Sequence, residues 1–382
     1  MLRIFKSPQA FSFGLEDRFN EKMARSLNQS GVPCVVKDLW SDFWARNLFF
    51  SRIPLGYRLF REWLAPLDCW LHLQEIRSDD IVWINGPSLP IFDTECRFEK
   101  KIIRKGARYV LGMEDDWFSD PNMKATAEAR VPLADLVIAV TPILCNRIAD
   151  RYPGKPILLL EEPIDVERLS PPAAFNEPDR PRILWNGRPW NLSMLRSLDG
   201  ILAKIYRDHP FVLRITTGRG KPDFHPSIPW EWFPFNRAKE AESALGVVAG
   251  LAPLDDTPYN RAKGNYKVKT YMAMGIPPLA SSVGYNRLLI RHGHTGFLLN
   301  TEKEWEEALR QVLRDPALSR TIGKAAREDI KARFSYEALM PIWADQLRRQ
   351  FPQELHSPKG QELHSPRVMV PSGRSPVWGR DR

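Results

Sequence analysis

Short apolar runs alternate with polar or amphipathic stretches along most of the chain. The runs at 2–5, 33–39, 80–84, 107–113, 136–140 and 157–160 are too short for helices and lack strict alternation, which predicts strands buried on both faces. Amphipathic residues 15–27 predict a helix after the first strand. A second series begins at Arg182, with strands predicted at 183–185, 212–216, 247–253, 276–280 and 296–299. Repeated strand–helix units predict an α/β chain of two Rossmann-like domains, each a parallel sheet with helices on both faces. A mixed-sign helix is expected over 302–333 and a last helix over 336–350.

Between the series, Glu161-Glu162-Pro163-Ile164-Asp165 leads into a stretch rich in Pro and Asn, which reads as a linker. The expected organisation is a first domain over 1–165, a linker over 166–181, a second domain over 182–335, a helix over 336–350 and a disordered tail over 351–382. In that tail, Gln353-Glu354-Leu355-His356-Ser357-Pro358 recurs as Gln361-Glu362-Leu363-His364-Ser365-Pro366. A repeat of this kind, rich in Pro, cannot build a core.

Length and composition fit two domains: 382 residues, 43% hydrophobic, with 13 tryptophans. Cys34, Cys69, Cys96 and Cys145 lack C-x-x-C spacing, so neither a zinc site nor a disulfide framework is expected. Residues 1–30 contain no signal-like apolar core, and no run of about 18 apolar residues suggests a span. The expected location is the cytoplasm, with peripheral contact to the inner face of the membrane left open. The formal charge of +9 allows anionic partners such as nucleic acid, lipid or a diphosphate. Without a block of five like charges, most of it reads as solvated helix surface.

Residues 267–284 read as a helix, a glycine stop, a buried strand and a Ser/Gly turn. Turns after such strands hold small anions in α/β folds, although the same order also serves as an ordinary connection. Over 250–343 the elements "PLxD" at Pro253, "KxxxYMAMGIPxLAS" at Lys267, "VGxN" at Val283, "HTGFLL" at His294 and "FS" at Phe334 occur in an order that resembles the retaining GT-B glycosyltransferases of family 4, the glycosyl transferases group 1.

That resemblance implies an acceptor-side domain over 1–165, a nucleotide-sugar-binding domain over 182–335 with the helix over 336–350 crossing back, and transfer of a sugar, a hexose in the first instance, from a nucleotide-diphosphate-sugar to an acceptor hydroxyl with retention of configuration. It implies no metal and no cofactor, the nucleotide-sugar being a co-substrate; the acceptor is a glycan, a lipid-linked or another hydroxyl. Cleavage loads charge onto the leaving diphosphate, which calls for cations. The candidates are Arg188, in a "GR" motif after a strand, with Lys263 and Lys267, which a four-residue helical spacing would place on one face. The Lys usual five residues after that Arg is Ser193. Thr270, Tyr271 and the turn Ser282-Val283-Gly284-Tyr285-Asn286 complete the expected donor side.

The family's two glutamates, with seven residues between them, fall on Ala262 and Thr270. Asp255 or Asp256 stands nearby as a substitute acid, or as the cap of the next helix. Glu114 and Asp115, at the end of a predicted strand, are candidate acceptor-side bases, a metal pair or a helix cap. Gly14, Glu16 and Arg18 stand where the family has an acceptor-side loop. Residues 39–73 interleave aromatics with Arg46, Arg52, Arg58 and Arg61, a pattern that suits a membrane surface, a stacking platform or core packing. The missing acids and the missing Lys leave open a non-catalytic GT-B protein. The chemistry also admits nucleotide-sugar epimerisation or, given the basic charge, glucosylation of DNA bases.

Overall fold

A computed structural model of the chain describes residues 1–6, 21–41, 43, 54–86, 94–171, 180–218 and 220–355. The first half builds one parallel sheet from β1 (Leu2–Lys6), β2 (Cys34–Asp38), β3 (Ile81–Asn85), β4 (Arg108–Met113), β5 (Leu136–Ala139) and β6 (Ile157–Leu159), in the order β2-β1-β3-β4-β5-β6. Its helices are α1 (Glu21–Gln29), α2 (Pro54–Leu59), α3 (Ala65–Glu75), α4 (Arg97–Arg104), α5 (Lys124–Arg130) and α6 (Pro142–Arg151), with a π-helical turn over Phe60–Leu64. Every residue of β3 is buried, as a strand covered by helices on both faces requires.

The second sheet contains β7 (Arg182–Asn186), β8 (Val212–Thr217), β9 (Trp230–Pro234), β10 (Val247–Ala252), β11 (Pro278–Ser281) and β12 (Phe297–Leu299). They run β12-β11-β10-β7-β8-β9, all parallel, so the strand order reverses between β7 and β10. A ligand crevice is expected at the carboxyl ends of such a neighbouring pair. The flanking helices are α7 (Leu192–Arg196), α8 (Asp199–Asp208), α9 (Pro258–Ala262), α10 (Tyr266–Ala273), α11 (Asn286–Leu289), α12 (Glu302–Arg314) and α13 (Pro316–Phe334), followed by α14 (Tyr336–Gln350).

One buried hydrophobic cluster runs through both halves, joining Leu2, Ile4 and Trp83 of the first sheet to Leu184, Ala252 and Ala280 of the second. Helix α14 packs on α1 and sets Trp343 5.7 Å from the Trp83 ring. The two halves also meet at 161–170. There Ile164 N–H donates to the Phe334 carbonyl at 2.8 Å, and the buried Lys269 ammonium donates to the Glu162 carbonyl at 3.0 Å.

Several expectations change. The helix expected over 302–333 is two helices, because Pro316 cannot continue α12 and Asp315 instead caps α13 by accepting from Leu318 N–H. Strand β9 was not anticipated; its Trp-Glu-Trp-Phe-Pro sequence forms an edge, where Pro is tolerated. The start of the tail is packed, with Phe351 and Leu355 buried and Glu354 paired to Arg108 at 3.0 Å. Residues 356–382 lie outside the described residues, as do the first part of the helix expected over 15–27 and residues 172–179 of the linker.

Candidate active site

A cavity of about 300 Å³ opens at the carboxyl ends of both sheets. Glu114 and Asp115 enter it directly after β4, Asn186-Gly187-Arg188 after β7, and Pro253 and Leu254 after β10. The loop Lys263-Gly264-Asn265 and the first turn of α10 form its floor. Asn265 adopts a left-handed conformation at φ 49°, which ends the chain's run from α9 and starts α10 in a new direction. The positive end of that helix therefore faces the cavity, a favourable place for an anion.

Arg188, Lys263 and Lys267 all line this space. Lys263 and Lys267 do not share a helix face, since Lys263 follows the last residue of α9; the turn at Asn265 brings them together instead. The Arg188 guanidinium lies 5.1 Å from the ring centre of Trp190, and the Lys267 ammonium lies 4.4 Å above the Trp185 ring. Trp185 also fills the space where Gly187 would carry a Cβ, at 2.6 Å. Burial, reinforced by repulsion from Lys263, pushes the Lys267 ammonium down to about 7. Burial lowers the Lys263 pKa as well, with Arg188 adding to the fall and Asp115 opposing it.

The acids come from three places. Asn85 Nδ2 donates to Glu114 Oε1 at 2.6 Å, which fixes that carboxylate. The Asp115 carboxylate lies near the Tyr259 hydroxyl, whose pKa rises mainly through burial and then through this carboxylate. The adjacent Asp116 is buried and turned inward to Arg147 at 2.6 Å and the Ser119 hydroxyl, so the local structural role belongs to it. Glu240 receives the Arg168 guanidinium at 2.9 Å. Glu162, nine-tenths or more buried, holds its carboxylate against Gly264, where an added Cβ would lie 2.4 Å from Oε2. Glu162 and Glu240 were not anticipated as site residues: they lie far from the motif in sequence and reach the cavity only through the packing of the linker and of residues 237–244.

Other expected residues fall elsewhere. Thr270 lines the cavity, with its hydroxyl donating to the Tyr266 carbonyl. Tyr271 does not; its hydroxyl accepts from Asn186 N–H at 2.8 Å and donates to the Leu251 carbonyl at 3.1 Å, tying the ends of β7 and β10 together. Asp256 is a surface residue paired with Arg261 at 2.5 Å, and the cap of α9 is Thr257 rather than Asp255 or Asp256. The turn Ser282-Val283-Gly284-Tyr285-Asn286 is absent from the cavity lining. Gly284, at φ 51°, packs on the Arg261 backbone, where a Cβ would meet the carbonyl oxygen at 2.1 Å. Ser282 accepts from Arg287, Asn286 accepts from Asn265, and Tyr285 donates to Glu161. The turn is closed by its own neighbours. Gly14, Glu16 and Arg18 lie outside the described residues. Among the described residues no group of three or more His, Cys, Asp or Glu side chains converges as a metal site.

Residues 270–329 match the sequence profile of Glycosyl transferases group 1. Solved structures match over much more of the chain. Sucrose-phosphate synthase from Thermosynechococcus elongatus superimposes with a TM-score of 0.66 at 15% identity, covering 92% of this chain and 98% of that one. The fold is that of the GT-B glycosyltransferases. Anabaena HepE, solved with UDP and glucose, shares this GT-B fold at a TM-score of 0.63 and 14% identity, over 91% of this chain and 100% of its own. S. aureus TarM, solved with UDP and alpha-GlcNAc-glycerol, gives 0.55 and 13% over 75% of this chain, which spans only 59% of the TarM chain. No curated protein sequence matches significantly.

Proposed function

We propose that this GT-B protein is a metal-independent, cofactor-free glycosyltransferase that moves a hexose from a nucleotide-diphosphate-sugar to an acceptor hydroxyl. The observation that carries the reading is the convergence of Arg188, Lys263 and Lys267 with the α10 N-terminus in one cavity at the reversal point of the second sheet. Such a set suits a diphosphate: a planar guanidinium fork, two ammonium groups and a helix end all favour negative charge. The structure of HepE with UDP-glucose supports the choice of donor class.

In the proposed reaction the bond between the anomeric carbon and the diphosphate oxygen breaks, and its electron pair leaves with the diphosphate. The three cations stabilise that charge as it develops. The acceptor oxygen bonds to the anomeric carbon and gives up its proton to Glu114 or Asp115, which enter the cavity from the other sheet. Glu162 takes the place of the acid missing at Ala262, since its carboxylate lies against Gly264, two residues further on. Retention of configuration follows the resembling family.

Incubation of the purified protein with a panel of nucleotide-sugars and measurement of released nucleotide tests the reading. Release from at least one donor is expected, and lower release is expected from Glu114→Gln and Glu162→Gln. Binding of a nucleoside diphosphate without release from any donor would point to a non-catalytic protein, for which the Ala262 and Thr270 replacements are the motive.

A further inference from the structure

Helix α2, the π-helical turn and α3 run on from Pro54 to Glu75, a rod roughly 33 Å long at 1.5 Å per residue. The inner side of the rod is core: Phe60, Ala65, Cys69 and Leu73 join the cluster under the first sheet. The outer side is apolar as well. Leu55, Leu59, Trp63, Leu67, Trp70 and Leu71 are between 45% and 74% exposed, and spacings of three and four residues set them in one ridge. A helix apolar on both sides ordinarily has something on both sides.

Beside the ridge lies α4, which contacts α3 and is tied to its end by Lys105 Nζ donating to the Ile76 carbonyl at 2.9 Å. Arg97, Lys100, Lys101 and Arg104 share the outer face of α4, and all are exposed. Lys101 and Arg104 form no ion pair with any described residue. The acids of the rod are already engaged, Glu62 by Arg58, Asp68 by Ser41 N–H and Glu75 by Lys37. Arg97 is paired with Glu95 at 2.6 Å, so the face combines an exposed Trp-bearing apolar ridge with the cations Lys101 and Arg104.

We propose that this face docks on an anionic phospholipid surface, the ridge entering between headgroups and the α4 cations resting on lipid phosphates. Paired tryptophans with flanking cations fit the interface of a bilayer, where an apolar body and a polar edge are both satisfied. No helix among the described residues is long and apolar enough to cross a membrane, so the contact is with the surface. Because α3 leads into the amino end of β3, the rod starts near the carboxyl edge of the sheet, the edge that lines the cavity. A docked bilayer would therefore lie beside the mouth of the cleft.

The test mixes the full chain with vesicles of phosphatidylcholine alone or with added phosphatidylglycerol and measures the sedimented fraction and the tryptophan emission. Sedimentation with the anionic vesicles only, weakened by salt and accompanied by a blue shift, is expected. Trp63→Ser with Trp70→Ser, and separately Lys101→Glu with Arg104→Glu, should weaken binding by about tenfold or more, with circular dichroism unchanged because all four side chains are exposed. No sedimentation, equal binding to both vesicle types, or variants that bind like the parent would overturn the proposal. So would a dimer that the Trp63→Ser, Trp70→Ser variant dissociates in the absence of vesicle binding, which would assign the ridge to a second copy. The readout is binding rather than turnover, so its failure leaves the transferase reading standing.

Discussion

Lys267 is the residue on which the electrostatics of the cavity turn. Burial and the charge of Lys263 hold its pKa down at about 7, well below the ordinary lysine value. Between that value and the unfolded one the unfolded chain binds more protons, so this lysine makes the protein more stable as pH rises through that window. A bound diphosphate acts in the opposite sense, since an adjacent anion favours the ammonium. Nucleoside diphosphate affinity should therefore fall as pH rises above about 7, and binding there should take up a proton. Calorimetry in buffers of different ionisation enthalpy measures that uptake. Lys267→Met should abolish both effects, and an unchanged proton uptake in the variant would remove Lys267 from the anion site.

At the scale of elements, the cavity depends on how strand ends are held. Tyr271→Phe removes the one hydroxyl that satisfies both Asn186 N–H and the Leu251 carbonyl, at an expected cost of about 1–3 kcal/mol in urea unfolding. The substitution should also weaken nucleotide binding, because Arg188 follows directly on β7. Gly284→Ala should destabilise by about 1–3 kcal/mol through backbone strain and the Arg261 contact, whereas Ser282→Ala should leave nucleotide affinity unchanged. The segment containing these residues was legible as fold: its helix, strand and turn lie within a residue or two of where the hydrophobic pattern puts them. It was not legible as site. Whether a Ser/Gly turn cradles an anion or packs on a neighbouring backbone depends on Arg261, and the pattern carries no sign of that contact. Glu162 was hidden for a related reason, since a linker residue joins the cavity only once both sheets are assembled. Aromatic spacing over 39–73 likewise left core and surface undecided; Trp40 and Phe60 prove buried, Trp63 and Trp70 exposed.

At the scale of the molecule, the sheets meet through a shared core and a set of cross-links at 161–170, so bases carried by the second sheet face acids carried by the first. Thr141 Oγ1 donates to the Ala262 carbonyl at 2.8 Å, which holds α9 and the following Lys263 close to the first sheet. In this arrangement anion binding falls to the three cations. Titration calorimetry of a nucleoside diphosphate against the parent protein and Arg188→Ala tests it most directly. Binding by the parent and a loss of about tenfold to a thousandfold in the variant are expected, as for removal of one electrostatic donor. Equal affinity in the two proteins, or no binding by the parent, would contradict it.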